Sequence, residues 1–204
     1  MNQNQRKQRG VELLFLAQVF AAATSLAAIL PLPDGLLNLV SLASIAGLVL
    51  MVAGLNTLRT QNGGYRWAYR LTIGELVLAF LGGTVSAFAG MMVSVAAMLQ
   101  TMSLVSIFVM ALELAAMYLC CGGTMELIRP IAPQAAEQGS MIRMLILVVL
   151  AASVASLALD LLSLGAASFV ALLASILQVA CAAYFARFLF QCRKLMGAVP
   201  GPGE

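Results

Sequence analysis

Long apolar stretches, each close to the length of a membrane-spanning helix, recur along this chain from one end to the other. A helix needs ~20 apolar residues to cross a hydrocarbon core ~30 Å thick. Closed β-barrels also satisfy their backbone groups in lipid, but barrel strands alternate polar and apolar residues, and these stretches do not. The chain is 62% hydrophobic and 9% charged, whereas soluble domains are ~25% charged. We therefore predict an all-α integral membrane protein.

The breaks between the apolar stretches predict a polytopic bundle of about six helices, arranged as three consecutive hairpins. Pro31, Pro33 and Gly35 mark the first turn, because proline lacks an amide donor and glycine admits left-handed backbone. The polar segments 59–70 and 122–140 mark the second and fourth turns. The predicted spans lie near 12–30, 35–58, 70–90, 98–121, 142–164 and 167–190, within one membrane domain that covers 1–204.

The basic residues predict the orientation of these spans. All 11 Lys and Arg residues fall on one side of the predicted topology, whereas the other side carries Asp34 and no Lys or Arg. Basic residues resist translocation and collect in short cytoplasmic loops. Both the N-terminal tail 1–11 and the C-terminal tail 193–204 are therefore predicted to be cytoplasmic (N-in/C-in), in a plasma membrane or a bacterial inner membrane.

The composition argues against most enzyme classes. The chain has no histidine, which excludes metal and haem sites built on imidazole and proteases that need a Ser/His pair. Gly122 and Gly123 are not followed by the Lys-Ser/Thr pair of a phosphate-binding loop. Little of the chain lies outside the predicted spans, so we expect no catalytic activity, no metal and no cofactor.

Ionisable residues well inside the predicted spans are candidates for function, because charge is costly there. They are Glu75, Glu113 and Arg187, all predicted at similar depths in the inner half of the membrane. One interpretation is a structural ion pair between Arg187 and a carboxylate. Another is a carboxylate that binds a cation or a proton during transport, and a third is that Glu75 reaches the interface.

A set of polar residues shares one face of the predicted fifth helix. The set consists of Ser153, Ser156, Asp160 and Ser163. This face either lines a water-filled cleft that opens to the outside, or forms hydrogen bonds that only stabilise the bundle.

Small residues on the predicted third helix indicate a close helix contact. They are Gly82, Ser86 and Gly90, spaced four residues apart, with Gly83 beside them. Such a stripe allows close van der Waals contact between helices, either inside the bundle or, as an alternative, at a homodimer seam.

Aromatic and basic residues alternate between the second and third spans, a pattern typical of anchors at the level of the lipid headgroups. They are Arg59, Tyr65, Arg66, Trp67, Tyr69 and Arg70. The expected partners are membrane lipids, and possible further ones are other membrane subunits or a second copy of the chain. Nucleic acid is not expected, because topology already accounts for the basic residues.

These observations leave two hypotheses for function. The first is a small solute or ion transport component, of the permease or importer substrate-binding type, with Glu75, Glu113 and Arg187 as its coupling cluster. The alternative is a non-transporting membrane scaffold or regulatory subunit whose buried charges only fix the packing. A cavity with converging polar groups favours transport, whereas a dry bundle with every charge paired favours a scaffold.

The predicted orientation can be checked by cysteine labelling. Cysteines introduced at Asp34, Gln100 or Ala166 should react with a membrane-impermeant maleimide added to intact cells, whereas cysteines at Asn62 or Gln138 should not, because basic flanking residues keep those loops inside. Gel-shift analysis after labelling provides the measurement. External labelling at Asn62 would contradict the orientation.

Overall fold

The computed structural model describes residues 3–30, 33–89, 95–161 and 167–197. Within these ranges the chain forms six helices and no strand: α1 (Gln3–Ile29), α2 (Asp34–Leu58), α3 (Gly63–Ala89), α4 (Val95–Ile128), α5 (Pro133–Leu161) and α6 (Ala167–Gly197). Five of the helices in the described ranges, α1, α2, α4, α5 and α6, are long and apolar enough to cross a membrane. The predictions of an all-α fold and of an integral membrane protein are confirmed at this level.

The helices extend well beyond the predicted spans. Helical structure covers most of 59–70 and 122–140, and the turns shrink to 59–62 and 129–132. Polar residues outside the lipid can continue a helix, because its backbone hydrogen bonds are internal. The change from apolar to polar sequence therefore marks the predicted membrane boundary and not the end of the helix.

Side chains at the start of α3 cap its N-terminus and form hydrogen bonds to α4. The Asn62 Oδ1 atom accepts a hydrogen bond of 3.0 Å from the Tyr65 amide, which is an N-cap interaction. The Asn62 Nδ2 atom donates to the Gly123 carbonyl at 2.8 Å, and the hydroxyls of Tyr65 and Thr124 lie 2.9 Å apart. α5 begins instead at Pro133. Proline suits the first position of a helix, because an amide hydrogen there would have no hydrogen-bond acceptor within the helix, and proline has no amide hydrogen.

The order of contacts brings the two ends of the chain together. Each helix contacts the next one in sequence, α1 also contacts α6, and α4 contacts α6. The largest buried side chains lie almost entirely in the first parts of α1, α3 and α5 and the last parts of α2, α4 and α6, at one end of the structure. They are Val11, Leu14, Leu55, Leu58, Tyr65, Leu114, Ile128, Ile146, Val149, Phe185, Phe188 and Leu189.

Much of the remaining helix surface is apolar and exposed. On α2, Leu39, Leu42, Ile45 and Val49 form one such surface, and each side chain is at least 59% exposed. Monomeric soluble proteins rarely expose contiguous apolar patches of this kind, whereas lipid solvates them well. This surface is therefore consistent with a helix that faces the lipid of a membrane.

α3 and α4 approach each other closely at Gly64. A Cβ atom built on Gly64 would lie 2.9 Å from the Leu119 carbonyl oxygen and 3.1 Å from the Gly123 amide nitrogen. Backbone atoms cannot move aside as a flexible side chain can, so this approach requires glycine. The predicted stripe lies elsewhere: the surroundings of Gly82, Gly83 and Ser86, and the whole of Gly90, fall outside what the structure describes.

Replacing Gly64 with Ala should lower the free energy of unfolding by about 1–3 kcal/mol, because the added methyl group must push the two helix backbones apart. The matched control is Gly74→Ala on the same helix, where a Cβ atom has nothing within 4 Å. That variant should change stability by no more than about 1 kcal/mol. Thermal or denaturant unfolding in detergent measures both, and equal stability of the two variants would contradict the close contact.

Candidate binding cavity

A cavity of about 590 Å³ lies between α1, α2, α3, α4 and α6. Its volume falls within the range of small-molecule sites, ~300–1,000 Å³. Polar side chains from all five helices line it: Gln18, Thr24, Ser25, Ser41, Ser44, Glu75, Glu113, Ser175 and Gln178. We call this the central cavity.

Helical periodicity explains how each element supplies its residues. On α4, Val109, Glu113 and Met117 all line the cavity and lie four residues apart, so they share one helix face. On α3, Glu75 and Ala79 have the same relation. The two glutamates therefore point from neighbouring helices into the same space.

Apolar residues of the buried end form one side of the central cavity. Ala17, Met51, Ala116 and Met117 line it and are each no more than 8% exposed. Ala17, Met51 and Met117 also belong to the hydrophobic core. The tightly packed end of the structure thus closes the cavity on that side.

The charges around the central cavity are all negative in the described lining. Glu75 and Glu113 line the same cavity, and no Lys or Arg is among its described lining residues. Both carboxylates are partly buried. Two like charges beside apolar residues are unfavourable unless a cation, a proton or water compensates them.

Arg187, which was expected beside these glutamates, lies elsewhere. Its side chain is exposed on α6 and does not line the central cavity. Phe185, Phe188 and Leu189 are buried and define the inward face of α6 at this level, so residue 187 lies on the opposite face. Glu75 and Glu113 come together in the structure, but Arg187 does not join them.

Gln18 adds an unsatisfied acceptor to the same cavity. Its side chain is only 4% exposed, its Nε2 atom makes a long 3.9 Å contact with the Met51 sulfur, and its Oε1 atom has no hydrogen-bond partner among the described residues. Buried polar atoms in native structures nearly always have a partner. Gln18 is therefore a buried amide at the cavity wall whose oxygen is unpaired in the described part of the chain.

The sequence patterns did not predict Gln18 and Gln178 as cavity residues. Both line the central cavity together with the two glutamates. The signal was present in the sequence, because amide side chains inside apolar spans are costly and mark functional positions. Whether these residues converge depends on how each helix is rotated about its own axis, and the sequence does not show that rotation.

The predicted polar face of α5 does not reach this cavity as far as it is described. Ser153 and Ser156 are partly buried, and neither lines the central cavity. The surroundings of the Asp160 side chain, and Ser163 as a whole, lie outside the described residues. The proposed cleft on this face stays a prediction.

The predicted lipid anchors divide into two groups. Tyr65 is completely buried against α4 and is therefore not at the lipid surface. The others lie at or near the surface, where two of the arginines stack on aromatic rings. The Arg70 guanidinium carbon lies 4.8 Å from the centre of the Trp67 ring, and that of Arg59 lies 5.4 Å from the Tyr69 ring, while Arg66 is exposed.

Double-mutant cycles can test whether Glu75, Glu113 and Arg187 interact as their positions in the structure predict. The effects of Glu113→Gln and Arg187→Gln on unfolding free energy should add to within about 0.5 kcal/mol, because the two side chains do not meet. The effects of Glu75→Gln and Glu113→Gln should depart from additivity by about 1 kcal/mol, because the first neutralisation already removes the repulsion.

Thermal unfolding in detergent, without added ligand, measures both cycles. The Glu113 and Arg187 pair serves as the control for the two glutamates, since it shares one of the substitutions. A coupling above about 1 kcal/mol between Glu113 and Arg187 would show that the arginine reaches the carboxylate in solution.

The chain matches no protein-family model, no curated protein and no solved structure.

Proposed function

We propose that this protein is a transport component that binds a small cation, or a small solute carrying a positive charge, in the central cavity. The observation that carries the proposal is the meeting of Glu75 and Glu113 in one cavity whose described lining contains no Lys or Arg. A cationic ligand would supply the missing positive charge. We also propose the topology that the sequence predicts, with three hairpins and both termini in the cytoplasm.

The chemistry of the lining supports a positively charged ligand. Carboxylate and amide oxygens are the ligands that hard cations prefer, and they also accept hydrogen bonds from ammonium groups. The carboxylates of Glu75 and Glu113 and the side-chain amide of Gln178 provide such oxygens. The hydroxyls of Ser25 and Ser44 line the same space and can orient a ligand.

The two carboxylates also suit exchange between a cation and a proton. When no cation is bound, repulsion between Glu75 and Glu113 favours uptake of a proton by one of them. A cation that binds between them compensates their negative charge, so the protonated carboxylate releases its proton. Binding of the ligand and release of a proton are thereby coupled, as in transporters that use intramembrane carboxylates.

The packing is tighter at one end of the structure than at the other, which supports entry of the ligand into the central cavity from one side. The buried core closes the central cavity towards the end at which α1 and α3 begin. In the proposed orientation that end is cytoplasmic, so the ligand enters from the outer side. Transport then requires a second arrangement in which the packed end opens, because a fixed site must be reached from each side in turn.

A thermal-shift screen tests the binding step. We expect at least one cation from the series Na⁺, K⁺, Mg²⁺, ammonium and tetramethylammonium to raise the melting temperature of the detergent-purified protein saturably. At a concentration 100 times the Kd the stabilisation should be about 2.7 kcal/mol. Glu75→Gln and Glu113→Gln should each abolish the shift, because each removes a carboxylate that contacts the ligand.

Glu12→Gln provides the matched control, because Glu12 lies on α1 outside the central cavity, paired with Arg193 at 3.1 Å. This variant should keep the full ligand-induced shift. Uptake of the stabilising cation into proteoliposomes, followed with a pH-sensitive dye inside, tests transport and proton release together. The scaffold hypothesis predicts the opposite: no probe stabilises the wild type more than the Glu75→Gln/Glu113→Gln double variant, and proteoliposomes take up no cation.

A further inference from the structure

A second cavity, of about 570 Å³, lies between the N-terminal ends of α3 and α5 and the C-terminal part of α4. It is at the same end as the two short turns, away from the central cavity. Gly63 and Gly122 line part of it, and a Cβ atom built on either would meet no described atom closer than 3.9 Å, so these small residues leave room there. The side chain that distinguishes it is Arg143 of α5.

Arg143 is held in place, but its charge is not paired. Its guanidinium carbon lies 3.9 Å from the centre of the Tyr118 ring, a cation–π contact. Its Nε atom is buried and has no hydrogen-bond partner within the described part of the chain. In the described part of the chain the only ion pair is that of Arg193 with Glu12, so no described carboxylate neutralises Arg143.

The position of Arg143 along its helix places it at the predicted membrane boundary. It is the second residue of the predicted span 142–164, and Tyr118 lies near the end of the predicted span 98–121. Trp67 also lines the cavity and is 55% exposed, as expected for an aromatic residue at the headgroup level. Phosphate groups are the most concentrated anions at this depth in a phospholipid bilayer.

We propose that the cavity beside Arg143 binds the phosphate group of a phospholipid headgroup or of a small soluble phosphate ester. The planar guanidinium presents donors that match two phosphate oxygens, and its stacking on Tyr118 fixes its orientation before the ligand arrives. Arg129 lines the mouth of the same cavity and provides a second positive charge. This site is independent of the function proposed for the central cavity.

The carboxylates at the mouth indicate which phosphates are accepted. Glu126 and Glu137 are exposed and line the cavity together with Arg129. They repel ligands with several negative charges and can accept a hydrogen bond from an amine or hydroxyl group on the headgroup. The site therefore favours a ligand with one phosphate group over a ligand with several phosphate groups.

Binding of short-chain lipids to delipidated protein in a non-ionic detergent tests the proposal. The probes are dihexanoyl-phosphatidylglycerol, dihexanoyl-phosphatidylethanolamine, the neutral lipid dihexanoylglycerol and soluble glycerol 3-phosphate. Thermal shift and native mass spectrometry report the Kd of each probe. We expect at least one phosphate-bearing probe to bind saturably, and Arg143→Gln to weaken that binding by about tenfold or more, which is the loss of one charge-assisted contact.

Three further variants separate this site from general attraction to basic residues. Arg143→Lys keeps the charge but loses the planar donor pair, so it should weaken binding less than Arg143→Gln. Arg66→Gln removes an exposed arginine on the same predicted face but outside the cavity, and it should leave the Kd unchanged. Ser140→Phe fills the cavity from an exposed position while keeping Arg143, and it should weaken binding even if Arg143→Gln fails to fold.

Each outcome decides the proposal. Tight binding of a phospholipid but not of glycerol 3-phosphate supports a lipid site, whereas equal binding of glycerol 3-phosphate supports a site for a soluble phosphate ester. The proposal is overturned if no phosphate-bearing probe binds, or if the neutral lipid binds as tightly as the phospholipids. It is also overturned if Ser140→Phe and every Arg143 variant that folds bind like the wild type.

Discussion

In hydrocarbon every backbone amide and carbonyl must find its partner within the protein, and helices satisfy this requirement locally. The rest of this structure depends on that constraint. Once the helices have formed, lipid is as apolar as their side chains, so close packing and a few polar contacts must hold them together. The contact of Gly64 with the α4 backbone, and the hydrogen bonds of Asn62 and Tyr65 to the same helix, are interactions of this kind.

The packing is uneven, and this unevenness creates the two cavities. Large side chains such as Phe185, Phe188 and Leu55 fill the end at which α1 and α3 begin. Further along the helices, small residues such as Ala21 and Ala79 line the space that the polar side chains of the central cavity share. The second cavity lies at the packed end, where Gly63 and Gly122 carry no side chain to fill it. The packed end thus both closes the central cavity and contains a separate cavity.

The two cavities differ in the charges of their linings. The described lining of the central cavity contains Glu75 and Glu113 and no basic residue, whereas the second cavity contains both arginines and carboxylates. Within the described residues, Arg143 of the second cavity has no acidic partner within salt-bridge distance. Unpaired charge in surroundings of low polarity is unfavourable, and structural charges are normally paired for that reason. The two proposed ligands, a cation and a phosphate, would each supply the charge that is missing.

The sequence by itself determined the all-α fold, the six helices and the membrane as solvent, because these depend only on the lengths of the apolar stretches and on the need to satisfy the backbone in lipid. It also indicated that Glu75 and Glu113 lie at similar depths, since depth follows from the residue count along a helix. Only the tertiary structure decided which side chains meet. These helices are apolar around most of their circumference, so the sequence does not show which of their faces point inward. For this reason Glu75 and Glu113 share a cavity with Gln18, while Arg187, at a similar depth, is exposed on the opposite face of α6.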